Sequence, residues 1–195
     1  MIAKLSAITA LFFANKDVYS HDEIDIYKYG FELLFSTIIN SACILLIAAL
    51  MGIVFESVLF AAAFIPLRLS AGGYHAKHHW SCILSTNTIF FAFAMMLRYM
   101  YTNFMLPYIL LSVTVSFLLI WKLSPVEAVN KPLSIDQRKK QRNRSITIAA
   151  INMTIVIASY MLPQIPVSIV AYYISGMLAA SLSLIMGRLS LKQAF

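Results

Sequence analysis

One short segment of the chain brings together side chains that could do covalent chemistry. Residues 66–87 read PLRLSAGGYHAKHHWSCILSTN and contain an arginine, two adjacent glycines, three histidines and a cysteine. A cysteine thiol becomes a strong nucleophile when a nearby imidazole takes its proton and holds the pair as thiolate and imidazolium. Cys82 is therefore a candidate nucleophile, and the candidate bases are His75, His78 and His79.

Spacing alone leaves the choice of histidine open. His78 and His79 precede Cys82 by four and three residues, the separations at which side chains meet on one helix. His75 precedes it by seven residues, about 10 Å along a straight helix, which is too far for direct proton transfer. A pair of His75 with Cys82 therefore requires His75 to lie in a loop that folds back over the helix after Gly72-Gly73.

Three other interpretations compete with a Cys–His pair. The segment could be an interfacial loop in which Arg68, Lys77 and the histidines meet lipid headgroups while the glycines merely turn the chain. The three histidines and Cys82 could instead bind zinc through nitrogen and sulfur, although the segment holds no carboxylate and no second cysteine. In the third interpretation, Glu56 and Arg68 are the ionisable residues of a carrier pathway through the membrane.

Membrane-spanning helices must position this segment. The 195 residues are 61% hydrophobic and 12% charged, with a mean hydropathy of +0.80, whereas a soluble domain is about 45–50% apolar and about 25% charged. This composition excludes a soluble enzyme and a disordered chain. An all-α, polytopic integral membrane protein with about six transmembrane helices is predicted, since about 20 apolar residues make one crossing. The six apolar runs are 33–51, 53–67, 82–97, 104–121, 146–162 and 167–186.

The N-terminal region is predicted to add another helix. Residues 1–16 contain an apolar stretch, which we interpret as a retained amphipathic helix that lies at the interface or docks on the bundle. Ser20 followed by Glu23 is the pattern of a capping box. It predicts a helix that begins near His21 and continues through Tyr29-Gly30 into the first span.

Charge assigns a side of the membrane to each loop. Fifteen Lys and Arg residues stand against eight Asp and Glu, a formal net charge of +7. The basic connection 122–145 is placed in the cytoplasm by the positive-inside rule. Counting spans from it puts the 68–80 loop and both termini on the same side and leaves Arg98 outside. Two cysteines make no disulfide framework. Cys43 is predicted to be inert packing, because it lies deep in an apolar run.

A spaced motif in the polar segment resembles that of the accessory gene regulator B (AgrB) family: Arg68-x4-Gly73-x-His75-x6-Cys82. These are membrane cysteine endopeptidases of Gram-positive bacteria that process quorum-sensing propeptides. The chain length, the several spans, the Tyr29-Gly30 pair and the stretch NKPL at 130–133 agree with the family.

The resemblance implies one membrane-embedded peptidase domain over residues 1–195 in the cell membrane. Its parts are N-terminal cytoplasmic or interfacial helices (1–32), a catalytic loop (68–82) and a basic cytoplasmic loop (122–145).

The resemblance also implies a role for each residue of the motif. Cys82 would be the nucleophile and His75 its base, with Arg68, Gly73 and the neighbouring Gly72 supporting the site. The implied substrate is a short propeptide with an amphipathic N-terminal helix, an internal cysteine and an acidic tail. It would be cleaved through an acyl-enzyme thioester, which the cysteine of the substrate converts into a thiolactone. Candidates for a third catalytic residue are Glu56, Ser81, Ser85 and Asn87.

No metal or organic cofactor is needed for this reaction. The expected partners are the propeptide, the lipid bilayer and, as a further candidate, a second copy of the chain in a homodimer, but no nucleic acid. The basic loop either attracts anionic lipid and fixes topology or captures the acidic tail of the substrate. Its candidate substrate-binding residues are Arg138, Lys139, Lys140, Arg142 and Arg144. The alternative function is a non-enzymatic membrane carrier or scaffold for a peptide.

Overall fold

The computed structural model describes residues 2–16, 18–73, 79–127, 134–162 and 164–192. Seven α-helices fill most of these ranges, with a 3₁₀ turn at His21–Glu23 and an isolated backbone bridge outside them. The helices are α1 (Ile2–Ala14), α2 (Ile24–Met51), α3 (Val54–Ala71), α4 (His79–Tyr99), α5 (Thr102–Leu123), α6 (Ile135–Tyr160) and α7 (Val167–Lys192). The predicted all-α class is confirmed.

Each of the six predicted apolar runs falls in one of the six long helices. In the described part of the chain, five helices are long and apolar enough to cross a membrane: α2, α3, α4, α5 and α7. The remaining run occupies the second half of α6, whose first half is the basic stretch 138–144. The structure therefore confirms a polytopic membrane protein.

Helices α2 and α4 run in the same direction. Asn87 Nδ2 donates a hydrogen bond to Asn40 Oδ1 (2.9 Å) in the middle of both helices. Near their C-terminal ends, Arg98 Nη1 donates to the carbonyl of Met51 (3.2 Å). The amide pair is a polar contact between two largely apolar helices, where it satisfies part of the hydrogen-bonding capacity of both side chains.

Helices α3 and α7 run opposite to α4 and parallel to each other. The rings of Phe60 and Phe90 meet edge to face with centroids 5.1 Å apart. The backbone of Gly176 lies against that of Phe60. Two turns further along α7, Ser183 lies against Gly73. The C-terminal end of α3 therefore meets both the start of α4 and the last third of α7.

The same end of the bundle collects the basic connection. Arg142 Nη2, on the first half of α6, donates to the carbonyl of Trp121 near the end of α5 (3.4 Å). Arg188 Nη2, near the end of α7, donates to the carbonyl of Leu123 (3.3 Å). We call this the basic end of the bundle. It holds the starts of α2, α4 and α6 and the ends of α3, α5 and α7.

Helix α1 docks on α2 in antiparallel orientation. Phe13 stacks on Phe31 with centroids 5.8 Å apart, and the Tyr19 hydroxyl donates to the carbonyl of Ala10 (2.6 Å). The buried face repeats every fourth residue and consists of Ile2, Ser6, Ala10 and Ala14. The exposed face is apolar as well and includes Leu5, Ile8, Leu11 and Phe12. Of the two predicted placements, docking on the bundle is the one observed.

The predicted capping box at the start of α2 is wrong in detail. A 3₁₀ turn begins at His21, and α2 itself begins at Ile24 with Glu23, rather than Ser20, as its N-cap. A complete capping box forms instead at α6. The backbone N–H of Gln137 donates to Ser134 Oγ (3.3 Å), and the backbone N–H of Ser134 donates to Gln137 Oε1 (3.2 Å). A capping box is usually recognised before an apolar run, and this one precedes a basic stretch.

Candidate functional site

The site is built around an arginine in the last turn of α3. Arg68 Nη1 donates to the carbonyl of Gly72 (2.7 Å), and Arg68 Nη2 donates to Cys82 Sγ (3.8 Å). The guanidinium therefore links the backbone that follows α3 to the sulfur in the first turn of α4. Its planar array of N–H donors can serve two acceptors at once.

Two glycines let the chain pass close to that guanidinium. Gly72 has φ +74° and Gly73 has φ +134°, a region that residues with a side chain rarely adopt. A Cβ on Gly73 would overlap Arg68 Nη1 and lie 2.6 Å from Ser183 Oγ. A Cβ on Gly72 would overlap the carbonyl oxygen of Val126. At positions 72 and 73, both predicted to support the site, glycine is thus required for its backbone conformation and for its small size.

A short segment after α5 holds the glycines from the other side. The amide of Val126 donates to the carbonyl of Ala71 (2.9 Å), and Val126 pairs with Gly72 in an isolated parallel bridge. The side chain of Val126 is buried. The next residue, Glu127, forms an ion pair with Arg138 Nη2 (2.6 Å). The contact of Val126 with Gly72 was not predicted from the sequence. The available signal was Val126 itself, an apolar residue inside a polar connection.

The side chain of Cys82 is half-buried. His75, its predicted base, and His78 lie outside the described residues, and His79 is the first residue of α4. The structure therefore brings Arg68, Gly72, Gly73 and Cys82 together, and the assignment among the three histidines stays a prediction.

The four candidates for a third catalytic residue lie in different places. Ser85 Oγ donates to the carbonyl of Ser81 (2.7 Å), so the two serines lie one turn of α4 apart, Ser81 just before Cys82 and Ser85 after it. Asn87 faces α2, to which its amide is bonded. Glu56 is in the first turn of α3. It precedes Arg68 by twelve residues, about 18 Å along the helix axis. Glu56 is thus too far from Cys82 to orient a base beside it.

A small cavity opens at Cys82 between α3, α4 and α7. Its wall is apolar except for Arg68 and three hydroxyl groups. The lining residues are Phe64 and Arg68 from α3, Cys82, Ser85, Thr86 and Ile89 from α4, and Ala179, Ser183 and Met186 from α7.

The five basic residues predicted to bind substrate are exposed on the first half of α6, at the same end of the bundle as Cys82. Arg138 and Arg142 already have partners within the chain, Glu127 and the carbonyl of Trp121. Within the described residues, no group of three histidine, cysteine or carboxylate side chains could hold a metal ion. Three of the four side chains considered for zinc, those of His75, His78 and His79, lie outside that part of the chain.

Comparison with known proteins agrees with the resemblance seen in the motif. A family model described as AgrB, Accessory gene regulator B, matches residues 6–189. The chain is 27% identical over 132 residues to an AgrB-like protein of Clostridium acetobutylicum, which covers 67% of this chain and 62% of that protein. It is also 35% identical over 71 residues to Protein FsrB of Enterococcus faecalis. That match covers 36% of this chain and 29% of FsrB. The matches thus span less than two thirds of the length of these curated relatives. No solved structure matches the chain significantly.

Proposed function

Because the chain belongs to the accessory gene regulator B family, we propose that it is a membrane cysteine endopeptidase that cleaves the precursor of a quorum-sensing peptide. The observation that carries the proposal is the contact between Arg68 and Cys82 Sγ. It places a cationic donor beside a thiol in the first turn of α4, close in the chain to the three histidines of the polar segment. An inert packing cysteine has no need of such a donor.

Cleavage begins when Cys82 Sγ attacks the carbonyl carbon of the scissile peptide bond. His75 takes the thiol proton, and the carbonyl oxygen gains the negative charge. Arg68 Nη2 already donates to Sγ in the resting protein, so it is within reach of an oxygen bound to the carbon that Sγ attacks. Fixed donors aimed at such a developing charge are a major source of catalytic stabilisation. The C–N bond then breaks, and His75 gives its proton to the leaving amine.

The product of this step is a thioester between Cys82 and the N-terminal part of the substrate. The thiol of the internal cysteine of the substrate attacks that thioester and passes its proton, through His75, to the departing Cys82 sulfur. A thiolactone forms, and the free enzyme is restored. One thioester replaces another, so the exchange needs no external energy source. The position of Cys82 at the edge of the helix bundle limits the access of water, which would otherwise hydrolyse the intermediate.

We propose that the basic end of the bundle faces the cytoplasm. The contact of Arg68 with Cys82, the basic first half of α6 and the end of α7 all lie there, whereas Arg98 lies at the opposite end beside Met51. Basic segments are retained on the cytoplasmic side. The propeptide would therefore be cleaved before any export.

Single substitutions in the presence of a propeptide test this function. The probe is a propeptide with an internal cysteine and an acidic tail, coexpressed with the protein, and the released C-terminal fragment is measured by mass spectrometry. We expect Cys82→Ala and His75→Ala each to abolish cleavage, because one removes the nucleophile and the other its base. Cys43→Ala is the matched control and should cleave like the wild type, since Cys43 lies within the span of α2.

Full cleavage by Cys82→Ala would contradict the enzyme assignment. If that variant also released intact propeptide outside the cell, the protein would be a carrier, the alternative function. Accumulation of uncut precursor inside the cell supports the peptidase.

A further inference from the structure

One face of α2 carries a row of polar side chains that leads towards the site. The row is spaced by three or four residues, which puts its members on one side of the helix, and consists of Tyr29, Glu32, Ser36 and Asn40. All four are half-buried, whereas Leu34 and Ile38 on the other side of α2 are exposed. Asn40 bonds to Asn87 of α4. This polar face of α2 is therefore the face turned towards the bundle.

Glu32 lies level with the start of α4. It precedes Asn40 by eight residues, about 12 Å towards the basic end along α2. The first residue of α4, His79, precedes Asn87 by the same number of residues. Because the two asparagines are bonded and the two helices run in the same direction, Glu32 and the start of α4 lie at the same depth. Cys82 lies about one turn further in.

The polar face of α2 also comes close to the arginine of the site. The hydroxyl group of Tyr29 lies within electrostatic range of both the Arg68 guanidinium and the Glu32 carboxylate. Tyr29 and Glu32 are three residues apart and therefore neighbours on this face. Since Arg68 contacts Cys82 Sγ, Glu32 lies on the side of α2 that faces the proposed nucleophile.

The other carboxylates of the described residues are placed less well for a role at Cys82. Glu127 lies at the same end of the bundle, but its carboxylate is held by Arg138 (2.6 Å). Glu56 is about 18 Å from Arg68 along α3. The remaining ones are exposed and are Asp22, Glu23, Asp25 and Asp136. A carboxylate within a membrane helix is costly and commonly has a functional partner, which makes Glu32 the candidate.

We propose that Glu32 is a positioning residue for the histidine base: its carboxylate accepts a hydrogen bond from the imidazole nitrogen that faces away from Cys82. The inference rests on the proposed function. His75 itself lies outside the described residues, between Gly73 and the start of α4, and both of these lie at the same end of the bundle as Glu32. The carboxylate would fix the orientation of the ring and stabilise the imidazolium that forms when the ring takes the proton from Sγ. It stays ionised throughout.

Substitution of Glu32 tests this role in the full chain. The protein is held in lipid nanodiscs, the probe is a synthetic propeptide with an internal cysteine and an acidic tail, and rates are given per amount of folded protein. Glu32→Gln should lower kcat at least about tenfold, a part of what general acid–base catalysis contributes, and leave KM unchanged. Glu32→Asp keeps the charge and should cleave faster than Glu32→Gln. Glu56→Gln is the matched control and should cleave like the wild type.

Alkylation by iodoacetamide shows whether Glu32 acts through His75. All proteins carry Cys43→Ala, and the mass shift of Cys82 is followed at neutral pH. Its Sγ displaces iodide, a C–S bond forms, and the thiol proton passes to solvent. His75→Ala and Glu32→Gln should each slow this reaction, because the thiolate is the form that reacts and an oriented base takes the thiol proton. If the carboxylate acts through the imidazole, the double variant should be no slower than His75→Ala alone.

An unchanged kcat in Glu32→Gln would overturn the inference. A double variant that is slower than His75→Ala by the full factor of Glu32→Gln would do so too, because the carboxylate would then act independently of that histidine. Both results leave the proposed function intact as long as Cys82→Ala fails to cleave the propeptide. If Cys82→Ala does cleave it, the proposed function fails, and the inference with it.

Discussion

Glycine residues lie next to both ends of α3, but each end needs glycine for a different reason. Gly52, before α3, has φ +72° and caps the end of α2, and a Cβ there would meet open space. Gly72 and Gly73, after α3, also have positive φ, but their Cβ atoms would overlap Val126 and Arg68. The first end therefore needs glycine for backbone conformation alone, and the second also needs it for the space taken by Arg68 and Val126.

Two arginines extend the same comparison. Arg98 and Arg68 each lie in the last turn of a helix and donate to a backbone carbonyl at a helix end, an arrangement that suits the negative end of the helix dipole. Arg98 is exposed. Arg68 has a second N–H that reaches the sulfur of Cys82. Arg68 therefore caps a helix end and also contacts the thiol that we propose as the nucleophile.

The largest expected effect comes from a single methyl group at the functional end of α3. Gly73→Ala should lower the cleavage rate about a hundredfold or more, because Arg68 and Ser183 must move, and a displacement of about 1 Å at a reacting centre costs that much. Gly52→Ala should keep the cleavage rate and lose only about 1–2 kcal/mol of stability from the unfavourable φ. Cleavage is measured per amount of correctly inserted protein.

Gly30→Ala provides a second control for these variants. Gly30 lies within α2, and a Cβ there meets nothing within 4 Å, so alanine should be neutral or stabilise the helix by up to about 1 kcal/mol. Equal losses of activity in Gly73→Ala and Gly52→Ala would show that the two ends of α3 do not differ in the way proposed.

The fold could be predicted from the sequence because apolar runs and bilayer thickness determine the number and length of the helices. The motif likewise singled out Arg68, Gly73 and Cys82, which the structure brings together. The pairing of Val126 with Gly72 could not be predicted, since it joins two loops far apart in the chain through backbone atoms that carry no residue-specific signal. The cavity was equally hidden, because its wall combines three helices whose relative rotation depends on packing.

The capping boxes show the same limit at a single position. Ser20 and Glu23 have the right spacing, but a 3₁₀ turn precedes α2 and moves its N-cap to Glu23. Ser134 and Gln137 form the box although a basic stretch follows them. Local patterns identify where a helix can begin, and the fit of the neighbouring turns decides where it does begin.

The two ends of the bundle should also differ in their access from outside the cell. In proteins with a single cysteine, a membrane-impermeant maleimide added outside should label Thr102→Cys, at the start of α5, and miss Lys77→Cys, in the segment predicted to be the catalytic loop. Both variants carry Cys43→Ala and Cys82→Ala, and labelling is measured as a mass shift before and after the cells are opened. Labelling of position 77 in intact cells would reverse the proposed orientation of the basic end.

The smallest expected effect concerns the basic residues on α6, which the structure divides into two groups. Arg138 and Arg142 hold Glu127 and the carbonyl of Trp121, so they support the connection that packs on Gly72. The other basic side chains of this stretch are exposed and are Lys139, Lys140 and Arg144. Substitution of Lys139, Lys140 and Arg144 alone therefore tests substrate capture without disturbing the contacts of Arg138 and Arg142.

Replacing Lys139, Lys140 and Arg144 by Gln should raise the propeptide concentration for half-maximal cleavage by about threefold or more, because three exposed charge pairs contribute at least about 0.2 kcal/mol each. The maximal rate should stay constant, since such contacts stabilise bound substrate and transition state equally. Added salt should weaken the wild type towards the variant, because exposed charges are screened over about 8–10 Å near physiological ionic strength. Correct insertion is checked first by protease accessibility. An unchanged half-saturation point at every salt concentration would assign these three residues to lipid binding and topology, because a segment that never meets the acidic tail cannot alter how much substrate is needed.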